Sequence, residues 1–238
     1  MTDHRVSSDV AFTPAVKAIQ TRKGSRGGYR KMEERGGWQT RVTPELAAFI
    51  GARDSFFLAT ASAAGQPYIQ HRGGAAGFLR VIDDRTLGFA DFRGNRQYVS
   101  LGNLSENPKA YLFLIDYARR QRTKIWGTAK VIDDDPALLE SLRPKGYAGT
   151  PEQAILFRIE AWDANCPQHI PQMIAASQVA DILVERDRRI LTLEAELARA
   201  KAGGSSGSVL PGQRQRQPAD KGSREDDNRQ HDAPGQKP

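Results

Sequence analysis

Between residues 55 and 162 the sequence is a succession of short apolar segments separated by turn residues, and this pattern limits the folds open to the chain. Residues 56–62 and 67–72 alternate in polarity as strands do, and the turn residues 63–66 lie between them. Residues 77–82 and 86–91 predict a second hairpin. Strands in hairpin order favour an antiparallel β-barrel, closed or partly closed, because closure removes most exposed strand edges.

Further elements complete this mainly β (α+β) pattern. Residues 110–116 are apolar on both faces, as in a central strand, and residues 123–132 are their predicted partner. Thr43 followed by Pro44 is typical of a helix start. A run of three aspartates precedes the predicted helix 136–142, where carboxylates suit a helix N-terminus better than a metal. A short helix at 97–106 and a final strand at 154–162 are also expected.

Residues 88–104 predict a strand, a tight glycine turn and a helix whose first turn carries Arg96. Unpaired backbone N–H groups and the helix dipole attract anions at a helix start, and a guanidinium matches the oxygen atoms of a phosphate. This segment is therefore a candidate site for a phosphorylated cofactor.

The formal net charge of +7 is unevenly distributed along the chain. Residues 1–41 hold nine Lys and Arg against four Asp and Glu, whereas residues 42–202 hold twenty against nineteen. The excess thus lies in a basic N-terminal arm, which is typical of a solvated or subunit-wrapping segment. We do not expect nucleic-acid binding from this charge.

The predicted organisation is an arm at 1–41, a barrel domain at 42–170, a helix at 171–202 and a disordered tail at 203–238. Residues such as Val179, Leu183 and Ile190 follow a heptad-like spacing, which leaves open whether the helix packs on the body, on a partner subunit, or as a coiled coil. The tail is too polar to bury a core. With no long apolar segment and a single cysteine, we expect a cytoplasmic protein without a membrane partner.

Four segments resemble the flavin-binding split barrels related to pyridoxamine 5'-phosphate oxidase: residues 67–74, 77–80, 87–98 and 162–170. The resemblance covers about residues 49–169. It implies an antiparallel split β-barrel that forms a homodimer and holds FMN in a groove between subunits, with the FMN phosphate bound by basic side chains.

The resemblance also implies individual cofactor contacts. Arg80 matches a phosphate contact, and Ala90 and Asp91 take the place of a tyrosine and a threonine beside the flavin. Gln97 replaces a lysine, so one positive charge near the phosphate is lost. The full set of implied cofactor-binding residues is Arg80, Ala90, Asp91, Asn95, Arg96, Gln97, Arg122 and Trp162, and the strand alternation that places Arg120, Arg122, Lys124 and Trp126 on one face adds Lys124.

Other polar residues are candidates for the substrate side, namely His71, Cys166 and His169. Cys166 and His169 give only two local ligands where zinc prefers three or four, so no metal site is expected. The arginine and histidine motif that holds the oxidase substrate is missing after Trp162, which argues against vitamin B6 oxidation.

Two kinds of function remain open. The first is an FMN-dependent oxidoreductase that acts on a small molecule, and no single catalytic residue is assigned. The second is a flavin-binding or flavin-sensing module without turnover. The same fold using the deazaflavin F420 or haem is a variant of both.

Overall fold

The computed structural model describes residues 6–165 and 167–203 of the 238-residue chain. A 3-10 helix, Ser7–Val10, precedes six α-helices and seven β-strands. The helices are α1 (Pro14–Arg22), α2 (Arg26–Glu34), α3 (Pro44–Gly51), α4 (Val99–Glu106), α5 (Pro136–Leu142) and α6 (Ala176–Gly203). The strands are β1 (Ser55–Ala61), β2 (Pro67–Gly73), β3 (Arg80–Val81), β4 (Thr86–Phe92), β5 (Lys109–Asp116), β6 (Gln121–Ile132) and β7 (Pro151–Asn165).

The seven strands form one antiparallel sheet in the order β2-β1-β5-β6-β7-β4-β3. Strand β7 is the longest, and it pairs with β4 along its first half and with β6 along most of its length. Strands β2 and β3 stand at the two ends of this order, so the fold is an antiparallel split β-barrel of the mainly β (α+β) class. This is the architecture that the sequence predicts.

The core lies on the alternating inward face of the central strands. Leu58, Leu112 and Ile125 are fully buried there, and Ile50 of α3 and Leu104 of α4 pack against the same cluster. Burial at every second residue of β1, β5 and β6 is the alternation seen in the sequence. The core therefore fixes the register of the strands on which the site residues stand.

Side-chain caps begin three helices, α1, α3 and α5, of which α3 and α5 are predicted from the sequence. The Thr43 and Asp135 side chains accept hydrogen bonds from Leu46 N (3.2 Å) and Leu138 N (2.8 Å), which begins α3 and α5. The interpretation of the aspartate run as a helix start is thus confirmed. Thr13 caps α1 in the same way, with Pro14 as the first helical residue.

The N-terminal segment is a folded layer. Residues 6–41 hold two helices, and Ser7 Oγ donates a hydrogen bond of 2.6 Å to Trp38 O. Glu33 accepts from Arg26 and lies 3.5 Å from Lys17, so acidic groups within the segment balance part of its positive charge. The sequence analysis did not anticipate helices α1 and α2.

Other differences concern element ends. Arg120, which the sequence analysis placed in a strand, lies in the β5–β6 turn with φ +54° and donates to Ile170 O and Pro167 O. Strand β3 is reduced to two residues because Phe78 and Leu79 are both buried before it. Helix α6 begins five residues later than predicted and includes Gly203. The predicted disorder of the remaining tail lies outside the described residues.

The described residues divide into two units after Ala180, and the second unit contains most of α6. Within the described ranges, every helix is too short or too polar to cross a lipid bilayer.

Candidate functional site

The loop that joins β4 to α4 has a strained backbone. Arg96 and Tyr98 adopt left-handed conformations, with φ of 58° and 54°, although neither is glycine. Such conformations cost about 1–3 kcal/mol each and persist only where the surroundings hold them, most often at functional sites. The Asn95 side chain accepts a hydrogen bond of 3.3 Å from Gln97 N and stabilises the turn between them. The loop therefore presents Arg96 in a fixed conformation three residues before α4, and the prediction that Arg96 lies in the first turn of that helix is wrong.

This loop forms one wall of a cavity of about 40 Å³, which we call the polar cleft. Strands β2 and β4, the start of β7 and the start of α4 supply the other walls. The lining residues are Gln70, Arg72, Asp91, Phe92, Gly94, Asn95, Arg96, Gln97, Tyr98, Ser100, Leu101 and Glu152.

At the base of the polar cleft lies a buried ion pair between Arg72 of β2 and Asp91 of β4. Gln153 of β7 donates a second hydrogen bond, of 2.7 Å, to the other Asp91 oxygen. Burial raises the pKa of Asp91 above its usual value, and the Arg72 charge opposes that rise. The Nε atom of Arg72 is buried without a hydrogen-bond partner in the structure. Arg72 thus neutralises Asp91 and keeps one donor unused.

At the rim of the polar cleft the side chains are more exposed. Arg96 Nε donates to Tyr98 Oη at 2.9 Å, and Glu152 accepts from Arg93 Nε at 3.0 Å. Hydrogen bonding to Tyr98 raises the pKa of Arg96, so its guanidinium stays charged. Among the ion pairs of the described residues, Arg93 and Arg72 have carboxylate partners and Arg96 has none. Arg96 is therefore a lining arginine without a carboxylate at ion-pair distance, although the charge of Glu152 acts on it from farther away.

Helix α4 is attached to the sheet at two points. Ser100 Oγ donates to Gln70 Oε1 at 2.9 Å, and Asn103 Nδ2 donates to Thr60 Oγ1 at 3.0 Å. These bonds fix the helix start against β2 and β1, which orients the unpaired N–H groups of its first turn.

The structure therefore brings four of the predicted cofactor residues into one cleft: Asp91, Asn95, Arg96 and Gln97. Ala90 is their neighbour on β4, and its side chain is buried against α5 and β7. Arg80 lines a different cavity, of about 520 Å³, together with residues 140–147.

Arg122, Lys124 and Trp162 lie at the other end of β7. Register pairs Asp91 with Gln153 near the start of this strand and Lys124 with Asp163 near its end. The ten residue steps from Gln153 to Asp163 span roughly 33 Å of strand. Within one chain, these residues are therefore remote from the polar cleft.

Aromatic side chains surround Lys124. Its Nζ lies 5.6 Å from the ring centre of Trp38 and 5.3 Å from that of Trp126, and the two rings stack at 4.6 Å. Asp163 pairs with the same ammonium at 3.0 Å. Burial raises the pKa of neighbouring Tyr111 to about 12, so its hydroxyl stays protonated. A cavity of about 580 Å³, which we call the aromatic cavity, opens here between the N-terminal segment and β6.

Trp162 joins the N-terminal segment to the barrel. Its Nε1 donates to Arg41 O and its backbone N to Gln39 O, both at 2.8 Å. Trp162 also packs partly buried against the core. In this chain it holds residues 39–41 against β7.

The predicted substrate-side residues stand outside the polar cleft. His71 is on the outward face of β2, with its ring 5.5 Å from Phe57, and His169 occupies a turn with φ 62°. Cys166 lies outside the described residues. No group of three potential metal ligands occurs within residues 6–165 and 167–203.

Eight lining residues of the polar cleft were not predicted from the sequence as cofactor contacts: Gln70, Arg72, Phe92, Gly94, Tyr98, Ser100, Leu101 and Glu152. A signal was present for two of them. Tyr68, Gln70 and Arg72 share one half-buried face of the edge strand β2, where polar side chains are unexpected without partners.

Comparisons with solved structures give distant likenesses. HupZ of Group A Streptococcus is 21% identical, with a TM-score of 0.44, over 56% of this chain and 99% of its own. An FMN-binding protein of Syntrophomonas wolfei is 16% identical, with a TM-score of 0.39, over 61% and 97%. The haem storage protein HutZ of Vibrio cholerae is 16% identical, with a TM-score of 0.36, over 52% and 94%.

No curated protein matches the sequence. The family model described as pyridoxamine 5'-phosphate oxidase matches residues 42–166, which is more than half of the chain and includes the polar cleft and the whole of strands β6 and β7. The chain belongs to the pyridoxamine 5'-phosphate oxidase family.

Proposed function

We propose that this protein is an FMN-dependent oxidoreductase that binds the FMN phosphate in the polar cleft. The observation that carries the proposal is the placement of Arg96, held in a strained loop and without a carboxylate partner, at the start of α4. Phosphate binding uses this combination of a guanidinium and free backbone N–H groups.

The chemistry of the polar cleft fits a phosphate group. Arg96 supplies a charged donor, and Gln97 and Asn95 add neutral polar groups at the loop. Because Arg72 balances the negative charge of Asp91, the buried carboxylate repels an incoming anion less strongly than an unpaired carboxylate would. Gln97 contributes no charge where the family has a lysine, so the cleft relies on Arg96.

The remaining part of FMN needs more room than the polar cleft offers. Small-molecule sites usually enclose about 300–1,000 Å³, whereas this cleft has about 40 Å³. Arg122 and Lys124 lie too far along β7 to reach the same cofactor within one chain. We therefore propose a homodimer in which these residues approach the cofactor bound by the partner subunit.

When bound, FMN supplies a ring that accepts a hydride or two electrons. The chain binds and orients it, and the positive charge of Arg122 favours the reduced, more negative ring, whereas Asp163 balances the charge of Lys124. The aromatic cavity beside Lys124 has the size and lining of a small-molecule site, and we assign it to the organic substrate.

The first test is binding of FMN to the purified protein. The visible spectrum of the bound species distinguishes FMN from a deazaflavin or haem. Arg96→Ala should weaken FMN binding by about 10- to 100-fold, because a hydrogen bond to a charged group contributes about 1.5–3 kcal/mol. Titration with FMN, followed by flavin fluorescence, measures the dissociation constant.

The matched control is Arg143→Ala, which removes a half-exposed surface arginine outside the polar cleft. It should bind FMN like the parent protein. Equal affinity of the parent and Arg96→Ala proteins, or no FMN binding by the parent, would contradict the proposal.

One observation favours a flavin-binding module without turnover as a second candidate. Both carboxylate oxygens of Asp91 already accept hydrogen bonds, so the buried carboxyl of the polar cleft is not a free proton acceptor. Steady-state oxidation of reduced nicotinamides by the FMN-loaded protein separates the two candidates. Turnover supports the oxidoreductase, and FMN binding without turnover supports the module.

A further inference from the structure

Helix α6 carries a stripe of large apolar side chains that remain exposed in the single chain. Val179, Leu183, Ile190, Leu193 and Leu197 each keep between 42% and 55% of their surface accessible to solvent. Most helices in proteins depend on burial of one apolar face for their stability. A 28-residue helix with such a stripe therefore requires a covering partner.

The spacing of the stripe fits a coiled-coil seam. From Val179 the steps to Leu183, Arg186, Ile190 and Leu193 are four, three, four and three residues, and Leu197 and Ala200 continue the series. This is the 3.5-residue repeat that keeps alternating a and d positions against a second helix. Arg186 is the one charged residue in the seam, at a d position, and in a parallel, in-register pair it faces Arg186 of the second copy, which weakens that layer.

Charges beside the seam identify the orientation of the partner. In a parallel, in-register pair, each g residue faces the e residue five positions later in the other helix. Arg189 then faces Glu194 of the second copy, and Glu196 faces Lys201 of the second copy. Both contacts join opposite charges, and each occurs twice in a symmetric pair.

An antiparallel pair of the same helices is less favourable. If Ile190 faces Leu193 of the second copy, the e positions bring Asp187 opposite Glu194. That contact joins two carboxylates and occurs twice, so it cancels the two favourable contacts that the same orientation forms between Arg189 and Glu196 of the second copy at the g positions. Like charges beside a seam select against the orientation that creates them.

We propose that α6 forms a parallel, in-register coiled coil with α6 of a second copy of this chain. The seam consists of Val179, Leu183, Arg186, Ile190, Leu193, Leu197 and Ala200. This interaction surface is independent of FMN binding, because it lies outside the region that the family model matches.

Disulfide trapping in the full-length protein tests this proposal. In a chain with Cys166→Ser, Leu193→Cys places a thiol at a d position of the seam, where two copies approach the ~4.4–6.8 Å Cα separation of a disulfide. Leu191→Cys is the matched control, since Leu191 is equally apolar, 65% exposed and outside the seam. Mild oxidation followed by non-reducing electrophoresis measures covalent dimer.

We expect Leu193→Cys to give covalent dimer as its main product and Leu191→Cys to remain monomeric on the gel. Equal yields at the two positions, or none at either, would overturn the proposal. So would an antiparallel pairing, in which Ile190→Cys chains mixed with Leu193→Cys chains form a mixed disulfide while neither links to itself. FMN titration of the same proteins reports separately on the proposed cofactor site.

Discussion

Replacing Arg72 with leucine should lower the free energy of unfolding by about 3–5 kcal/mol at neutral pH, because loss of one partner leaves the other charge buried and uncompensated. The side chains of Arg72 and Asp91 are only 12% and 6% exposed, so water cannot replace the lost cation. Gln153 alone would then remain bonded to the Asp91 carboxylate. Urea unfolding followed by tryptophan fluorescence measures the change.

The effect should depend on pH with a definite sign. Burial raises the folded-state pKa of Asp91 above its unfolded value, and removal of Arg72 removes the charge that opposes this rise. A group with a raised acidic pKa loses stability as pH increases from the unfolded pKa to the folded one. The deficit of Arg72→Leu should thus be smallest near the ordinary carboxyl pKa and larger at neutral pH.

A second substitution provides the control for this interpretation. Asp91→Asn in the Arg72→Leu background removes the buried charge and keeps a similar shape, so much of the lost stability should return. A deficit that is the same at acidic and neutral pH, or that persists in the double variant, would show that packing of the Arg72 side chain dominates instead.

The elements of the barrel were predictable because their signals are local. Two-residue alternation in β1, β5 and β6 and the caps at Thr43 and Asp135 depend on neighbours a few residues apart. The same kind of signal was present for α1, where Thr13 and Pro14 repeat the pair found at α3. Its low content of large apolar residues obscured it.

The composition of the polar cleft was less predictable because its contacts are distant in sequence. Arg72 and Asp91 are separated by 19 residues and meet only because β2 and β4 approach each other through the fold. No periodic pattern pairs two such residues. The short β3 has a similar cause, since burial of Phe78 and Leu79 in the core overrides the alternation of their segment.

Which residues belong to one site also depends on the register of the strands. Arg96 and Lys124 both belong to segments that resemble a flavin site, but pairing along β7 places them near opposite ends of that strand. Sequence reasoning grouped them as contacts of one cofactor. Arg96 and Lys124 can contact the same cofactor only if two subunits supply them. The proposed function therefore includes a dimer.

Gly127→Ala should destabilise the protein by about 3 kcal/mol, at the upper end of the usual cost of overpacking a core. A Cβ at this position would lie 2.0 Å from the backbone oxygen of Arg158 and 2.7 Å from the Phe157 ring. The clash involves backbone, so a change of rotamer cannot relieve it. The register of β6 against β7 shifts between Trp126 and Gly127, and the missing side chain allows this close approach.

Gly102→Ala is the matched control, because it adds the same methyl group where nothing lies within 4 Å. Gly102 is inside α4, so alanine should stabilise the protein by about 0.4–1 kcal/mol through a smaller entropy loss on folding. The same substitution thus has opposite signs at the two sites, and thermal unfolding measures both. Because the bulge at Gly127 sets the register beyond it, Gly127→Ala should also displace Lys124 from Asp163 and change the surroundings of Trp126, which tryptophan fluorescence reports. A stable Gly127→Ala protein with unchanged tryptophan fluorescence would mean that β6 and β7 can separate there without cost.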